Sequence, residues 1–396
     1  MRPDAALADR RREVRLAARG WWRSGAIHAK QLASIDAAYP DDRARLGPMF
    51  RTLAFLLGML GLNAFLGLFV LLNGGGGGTE RAFGTACLVL SMLLAGATEL
   101  LTGPLKRADS GIETATALLF VTYAVVGLGL GLSLEQGLPD RVLVSFLLLA
   151  AALLAGLSSR RWGSPLLAAV ASVCFWALLA RLPGGRVLWL VVSPALAPLL
   201  LRRSTGPTLP PVHRRSCLAG LVLTVCAFYV AVHVGSWDYR WLELIADFDA
   251  NPAPGFHFLR PLSILATAAM PVAVIAFGIA SRRALLLNLG ILLGVASLLT
   301  LRFYVHVAPA WVVLMGSGAA ALLAAVWLRR YLAGGPNGER AGFTAEPLFE
   351  DPTRRQVGQV VGALATFTPG ARTLPADSGL KPGGGRFGGG GATSDF

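Results

Sequence analysis

Long apolar blocks alternate with short polar connectors over most of the chain. A helix of about 20 apolar residues crosses the ~30 Å hydrocarbon core of a bilayer. The blocks cover residues 52–72, 82–103, 111–132, 142–158, 163–180, 187–201, 217–235, 259–280, 284–301 and 306–328. A water-soluble core cannot bury ten such blocks in 396 residues. The pattern therefore predicts an all-α fold, a polytopic bundle of ten transmembrane helices with the lipid bilayer as its solvent.

The sixth block is the weakest of these predicted spans. It is the shortest, and Pro194 and Pro198 interrupt it. Proline removes a backbone donor and disrupts the preceding turn of a helix. If this block were not a span, the alternation of inner and outer connectors would fail.

Residues 1–51 form a polar segment ahead of the first block. Its Ala-, Leu- and Arg-rich composition predicts a helix from Asp4 to Arg19 that Gly20 ends, and a second helix from Ile27 to Tyr39. Trp21 and Trp22 lie between the two and are expected to be exposed. The pair of helices either lies on the membrane surface or packs as a hairpin against the bundle connectors.

Residues 329–396 form a second polar segment after the last block. Asp351 and Pro352 are typical of a helix start, so a short helix is expected over 352–367. The glycine-rich end beyond it is expected to be disordered. This segment is a candidate binding site for a protein partner.

The basic residues favour one set of alternate connectors. The chain has 36 Lys and Arg against 22 Asp and Glu, a formal net charge of +14. With the N-terminus inside, the outer connectors hold Arg81, Arg141, Arg181, Arg186, Arg240, Arg260 and Arg302, and the other 29 basic residues lie on the inner side. The positive-inside rule therefore predicts both termini in the cytoplasm. It also accounts for the net charge without nucleic acid as a partner.

Composition supports a membrane protein and gives no sign of catalysis. The chain is 54% hydrophobic and 15% charged, where soluble domains average about 25% charged residues. Cys87, Cys174, Cys217 and Cys226 lack metal-ligand spacing and lie in or beside apolar blocks, so neither a metal nor another cofactor is predicted. No phosphate loop, nucleophile elbow or pair of catalytic carboxylates occurs. The first 48 residues are too polar for a cleaved signal peptide, so the first span is expected to direct insertion.

Two short patterns resemble known membrane proteins. The residues Trp22, Gly25-Ala26-Ile27, Gln31, Ile35 and Tyr39, followed by Arg51 and a glycine-rich span, resemble an uncharacterised bacterial family with a cytoplasmic helical segment before eight to ten spans. The end GGGRFGGGG resembles the tails of membrane proteins that carry a TPM domain, whose globular part this sequence lacks. The first resemblance implies a multi-pass protein of the bacterial plasma membrane. Neither resemblance implies a catalytic residue.

Glu99 and Glu113 are carboxylates placed inside predicted spans, near the cytoplasmic surface. Intramembrane charges are functional candidates, and these two lie on adjacent helices, which suggests a proton or cation relay. The alternative is an interfacial ion cluster in which both carboxylates extend toward Lys106 and Arg107.

A second set of polar residues maps to the outer side. It comprises His233, Asp238, Asp247, Asp249, His257 and His306. Histidines and carboxylates from separate connectors would suit a metal or proton site. No metal-binding motif accompanies them, and isolated interfacial side chains are the alternative.

These features leave three functional hypotheses. The first is a transporter-like bundle, and the second is a membrane scaffold or sensor that engages partners through its cytoplasmic ends. The third is a membrane-embedded enzyme acting on a lipid-linked substrate. A transporter requires a polar cavity near the membrane midplane, whereas a scaffold predicts a dry bundle with structured cytoplasmic segments.

Overall fold

The computed structural model is an all-α bundle. It describes residues 3–23, 25–40, 43, 45–73, 79–107, 110–136, 139–206, 209–237, 256–281, 283–305, 310–335, 339–340 and 343–344. The helices are α1 (Pro3–Arg23), α2 (Ala29–Ala38), α3 (Pro48–Asn73), α4 (Thr79–Thr102), α5 (Ile112–Gln136), α6 (Asp140–Trp162), α7 (Pro165–Arg181), α8 (Gly185–Thr205), α9 (Pro211–Val232), α10 (Phe256–Ala280), α11 (Ala284–Val305) and α12 (Ala310–Ala333). A single 3₁₀ turn, Val234–Trp237, follows α9.

Each of the ten predicted spans coincides with one helix, α3 to α12, but the structure supports fewer spans than ten. Among the described residues, eight helices are long and apolar enough to cross a membrane. The apolar helix α7 has 17 residues and is shorter than any of the eight. Helix α12 is also not one of the eight. The predicted class is confirmed, and the span count is about eight.

Consecutive helices pair as antiparallel hairpins. The most extensive packing joins α4 to α5, α6 to α7, α8 to α9 and α10 to α11. The hairpins are linked through α5 against α6 and α7 against α9, and α3 packs on α5. Among the spans, α5 is the most enclosed and α3 the least. Many large apolar side chains on the bundle are exposed, as expected for surfaces that face lipid.

Helix α1 extends further than predicted. It continues through Gly20, Trp21 and Trp22 to Arg23, because a glycine within a helix costs only about 1 kcal/mol. Gly25 ends it instead, with a φ of +75°. The Gly25 N–H donates to the Trp22 carbonyl at 3.1 Å and the Ala26 N–H to the Trp21 carbonyl at 2.8 Å, which is a Schellman cap. Trp21 and Trp22 are about half exposed, as predicted.

The sixth predicted span is a continuous helix despite its prolines. Helix α8 runs 21 residues with Pro194 and Pro198 inside it, and it meets the criteria for a span. Packing against α9 supplies the stability that the prolines remove. Trp189 of α8 donates its indole N–H to the Trp176 carbonyl at 2.9 Å, and the two rings meet edge to face at 5.9 Å.

A second unit begins at Met315, and its described residues are 315–335, 339–340 and 343–344. In it, β1 (Glu339–Arg340) pairs antiparallel with β2 (Phe343–Thr344). The Arg340 guanidinium lies 4.6 Å above the Tyr331 ring, which stacks on Trp327. The predicted helix over 352–367 and the glycine-rich end lie outside the described residues.

Candidate functional site

Charged residues from seven parts of the chain meet at one end of the bundle. This end holds the connections α4–α5, α6–α7 and α8–α9, and we call it the inner end because the charge distribution predicts it to be cytoplasmic. The charged side chains surround a cavity of about 130 Å³, the inner cavity. Its charged lining consists of Asp9, Arg43, Arg45, Arg51, Glu99, Glu113, Arg161 and Arg215.

Glu99 lies at the last turn of α4 and pairs with the end of α6. Its Oε1 accepts a hydrogen bond from Arg161 Nε at 2.7 Å and one from the Trp162 indole N–H at 3.1 Å. The side chains of Arg161 and Glu99 remain 54% and 31% exposed. An ion pair this accessible to water stabilises a fold only modestly. It does, however, hold two hairpins together at the inner end.

Glu113 caps the helix on which it lies. It is 9% exposed, and its carboxylate accepts hydrogen bonds from the Ser110 backbone N–H at 3.0 Å and from the Ser110 hydroxyl. This is a capping interaction at the start of α5. The sequence Ser110-Gly111-Ile112-Glu113 matches the S-x-x-E capping signature, a signal that our sequence analysis overlooked.

Gly111 brings the start of α5 against the first turns of α3. Its φ is +92°, and a Cβ there would lie 2.1 Å from the Arg51 carbonyl oxygen and 3.0 Å from the Phe55 nitrogen. Only glycine allows both this backbone conformation and this approach. The contact places Arg51 in the wall of the inner cavity.

Ion pairs join α1 to the α2–α3 connection and to the start of α9. Asp9 of α1 contacts Arg45 of the α2–α3 connection at 3.1 Å, and both side chains are 13% exposed. Glu13 of α1 contacts Arg214 of α9 at 2.5 Å. The structure thus favours the second reading of residues 1–51, a helical hairpin packed on the bundle.

A further ion pair holds α1 and α2 to each other. Arg15 Nε of α1 lies 2.7 Å from Asp36 Oδ1 of α2. The two helices also pack directly. The N-terminal segment is therefore one unit, attached to the bundle by its first helix.

A second cavity opens beside the first, between α1 and the start of α9. Its volume is about 220 Å³, and it shares Asp9 and Arg215 with the lining of the inner cavity. Arg12, Glu13 and Arg214 add to its charge. The two cavities together form a continuous charged region under α1.

The relay candidates Glu99 and Glu113 do line the same cavity. Both lie at the inner end, as the sequence predicted, with Glu99 paired to Arg161 and Glu113 bonded to Ser110. The alternative reading, an interfacial ion cluster, named Lys106 and Arg107 as their partners, and neither reading anticipated the arginine from α6. Whether the carboxylates relay protons stays a hypothesis.

Of the outer polar set, only His233 has a described side chain. Asp238, Asp247, Asp249 and His306 lie outside the described residues, and His257 is placed only as part of the α10 backbone. His233 follows the last turn of α9, where its Nδ1 accepts a hydrogen bond from the Gly235 N–H at 3.1 Å. Burial lowers the pKa of His233. Within the described part of the chain, no group of three or more metal-ligating side chains forms.

Hydroxyl groups buried within the bundle bond mainly to backbone carbonyls. Between α9 and α10, the Ser263 hydroxyl donates to Val232 O at 2.6 Å, and Thr267 Oγ1 accepts from the Val234 N–H at 2.9 Å. Thr267 in turn donates to Ser263 O, and Ser297 of α11 donates to Thr267 O at 2.5 Å. These bonds satisfy the end of α9 and join three helices.

Another cavity among the described residues is apolar. It is a groove of about 490 Å³ between the outer halves of α3 and α4, lined by residues such as Phe65, Phe69 and Leu93. Its position and lining suit lipid. Neither it nor the two charged cavities is a polar chamber between the spans.

The comparisons with known proteins add no relative. No family model matches the chain, and no curated protein and no solved structure matches it either.

Proposed function

We propose that this integral membrane protein is a scaffold or sensor rather than an enzyme, with the N-terminal helices α1 and α2 as its cytoplasmic binding module. The observation that carries this proposal is the attachment of α1 to α9 through Glu13–Arg214, while Asp9–Arg45 ties α1 to the connection that leads into α3. Ion pairs are weakened by salt and by competing charged ligands. A module attached in this way can respond to what binds at the inner end.

The interior of the bundle supports a scaffold over a transporter. The hydroxyls of Ser263, Thr267 and Ser297 on α10 and α11 donate to backbone carbonyls, as do those of Thr98 and Thr224. Among the described residues, the buried hydroxyls of Ser193 and Tyr229 have no hydrogen-bond partner. A substrate path requires polar groups that can exchange partners with the cargo. The charged residues concentrate instead at one end, where a cytoplasmic partner can reach them.

The location of the protein is part of the same proposal. The arginine distribution supports a cytoplasmic inner end, and the N-terminal resemblance supports a bacterial plasma membrane. Under this orientation α1 and α2 face the cytoplasm.

Hydrogen exchange on the full-length protein in lipid nanodiscs tests the docking of the module. We expect amides of residues 3–38 to be protected at low salt and to exchange faster at high salt or in Arg214→Gln. The amides of α5 should be unaffected, because its contacts are mainly apolar. If the exchange rates of residues 3–38 changed neither with salt nor with Arg214→Gln, docking by ion pairs would be contradicted.

A flux assay tests the competing transporter hypothesis. Liposomes containing the wild type should hold an imposed proton gradient as well as empty liposomes do. A proton leak that is present in the wild type and lost in Glu99→Gln would favour a transporter and overturn the scaffold proposal.

A further inference from the structure

Two exposed tryptophans lie where α1 ends and α2 begins, a region that we call the hairpin tip (residues 19–30). Trp21 and Trp22 are 51% and 47% exposed, and both belong to the last turn of α1, which the cap at Gly25 closes. Their exposure is therefore a feature of a regular helix end. Large apolar side chains exposed side by side mark a surface that contacts another protein or a membrane.

The charge of the hairpin tip favours an anionic partner. Arg19, Arg23 and Lys30 are exposed there, and the sequence contains no Asp or Glu from residue 14 to residue 35. Basic residues are attracted to the anionic headgroups of a cytoplasmic leaflet, and tryptophan rings prefer the boundary between headgroups and acyl chains. The tip combines both properties, so its chemistry is complementary to a lipid surface.

The docking of α1 brings the tip close to that surface. Glu13 pairs with Arg214 in the first turn of α9, and Leu16 lines a cavity together with Leu218, one turn further along α9. Since α9 is one of the helices able to span a membrane, its first turns mark the level where lipid headgroups begin. A helix rises 1.5 Å per residue, so Trp22 lies only about 9 Å beyond Leu16 along α1.

We propose that the hairpin tip binds the anionic phospholipid surface of the membrane that the bundle spans. This inference rests on the proposed function, since it names the partner of the N-terminal module. Trp21 and Trp22 insert at the headgroup level, and the basic side chains of the tip pair with lipid phosphates. The module is then held both by its ion pairs with α9 and by anionic lipid. It therefore senses the anionic lipid content of its own membrane.

The test uses the full-length protein in two kinds of nanodisc, one of phosphatidylcholine alone and one that also contains phosphatidylglycerol. In both kinds, part of the lipid carries bromine on the acyl chain near the headgroup, which quenches the fluorescence of any tryptophan that it contacts. Emission of the wild type minus that of the double variant Trp21→Phe and Trp22→Phe isolates the two rings at the tip. Hydrogen exchange of residues 3–18 in the same samples reports whether α1 is docked.

Charge is tested with Arg23→Gln, and Arg11→Gln is the matched control. Both are exposed arginines of α1, and the 12 positions between them correspond to about 18 Å of helix, which exceeds the screening length of about 10 Å at 0.1 M salt. We expect the two tip tryptophans to be quenched in the anionic nanodiscs and not in phosphatidylcholine. In Arg23→Gln the ratio of quenched to unquenched tips should fall about fivefold, whereas Arg11→Gln should match the wild type.

Each outcome has one interpretation. Quenching that requires phosphatidylglycerol and weakens in Arg23→Gln alone supports the proposal. Absence of quenching, equal quenching in both kinds of nanodisc, or equal weakening in Arg11→Gln overturns it. If residues 3–18 stay protected while the tip is not quenched, the lipid partner is wrong and the docked module stands. If residues 3–18 exchange freely in every sample, the proposed function itself fails, and the quenching still decides whether the tip binds lipid.

Discussion

Replacing Gly111 by alanine tests the contact that places Arg51 in the cavity wall. The added Cβ would lie 2.1 Å from the Arg51 carbonyl oxygen, whereas ordinary van der Waals contact begins at 3.4 Å. The obstructing atom is main chain and cannot rotate away. The start of α5 and the first turns of α3 must therefore separate, or Gly111 must change its backbone conformation.

Two costs contribute to the expected destabilisation. An L-residue held in a sparsely populated backbone conformation costs about 1–3 kcal/mol, and the φ of Gly111 is +92°. Forcing a methyl group into a closed contact costs about 1–3 kcal/mol more. We expect Gly111→Ala to lower the free energy of unfolding by about 2–6 kcal/mol.

Thermal unfolding in detergent micelles, followed by tryptophan fluorescence, measures this effect. The matched control is Gly96→Ala, because Gly96 lies within α4 with no atom within 4 Å of an added Cβ. Helix propensity predicts that the control is unchanged or up to about 1 kcal/mol more stable. If Gly111→Ala melted with the wild type, the approach of α3 to α5 would be refuted, and Arg51 would lose its place in the wall of the inner cavity.

Three further predictions concern charges and the tail. Under the scaffold proposal, Glu99→Gln and Glu113→Gln should both leave the proton leak from liposomes unchanged. Glu99→Gln should lower the free energy of unfolding by only about 0.2–1 kcal/mol, because its ion pair is exposed, and Glu113→Gln by about 0.5–2 kcal/mol, because it removes a helix cap. Loss of a pH-dependent proton flux in either variant would support the relay. A double-mutant cycle of Asp9→Asn and Arg45→Gln, read by thermal unfolding, should give a coupling of about 1–3 kcal/mol, because both side chains are only 13% exposed; additive effects would show that the pair is not formed. Deleting residues 382–396 should leave the melting temperature unchanged, and a lower value would indicate that this end docks.

Local pattern was sufficient for the helices of the bundle. Hydrophobic length and composition are properties of each segment alone, so the ten predicted blocks correspond to α3 through α12 without knowledge of packing. Local rules for where a helix ends, such as those for glycine and proline, failed where packing or a nearby cap competes with them. Gly20 does not end α1, since a better cap follows at Gly25, and Pro194 and Pro198 do not interrupt α8, since α9 packs along it.

The sequence alone determined that this protein is a helical membrane bundle, because hydrophobicity acts residue by residue. It also contained the Ser110–Glu113 cap, whose two members lie three positions apart. Only the tertiary structure decided which charges meet. Glu99 and Arg161 are 62 positions apart, and Glu13 and Arg214 are 201 apart. The packing of the hairpins decides which charged residues meet. The sequence around a carboxylate does not indicate which arginine will lie beside it.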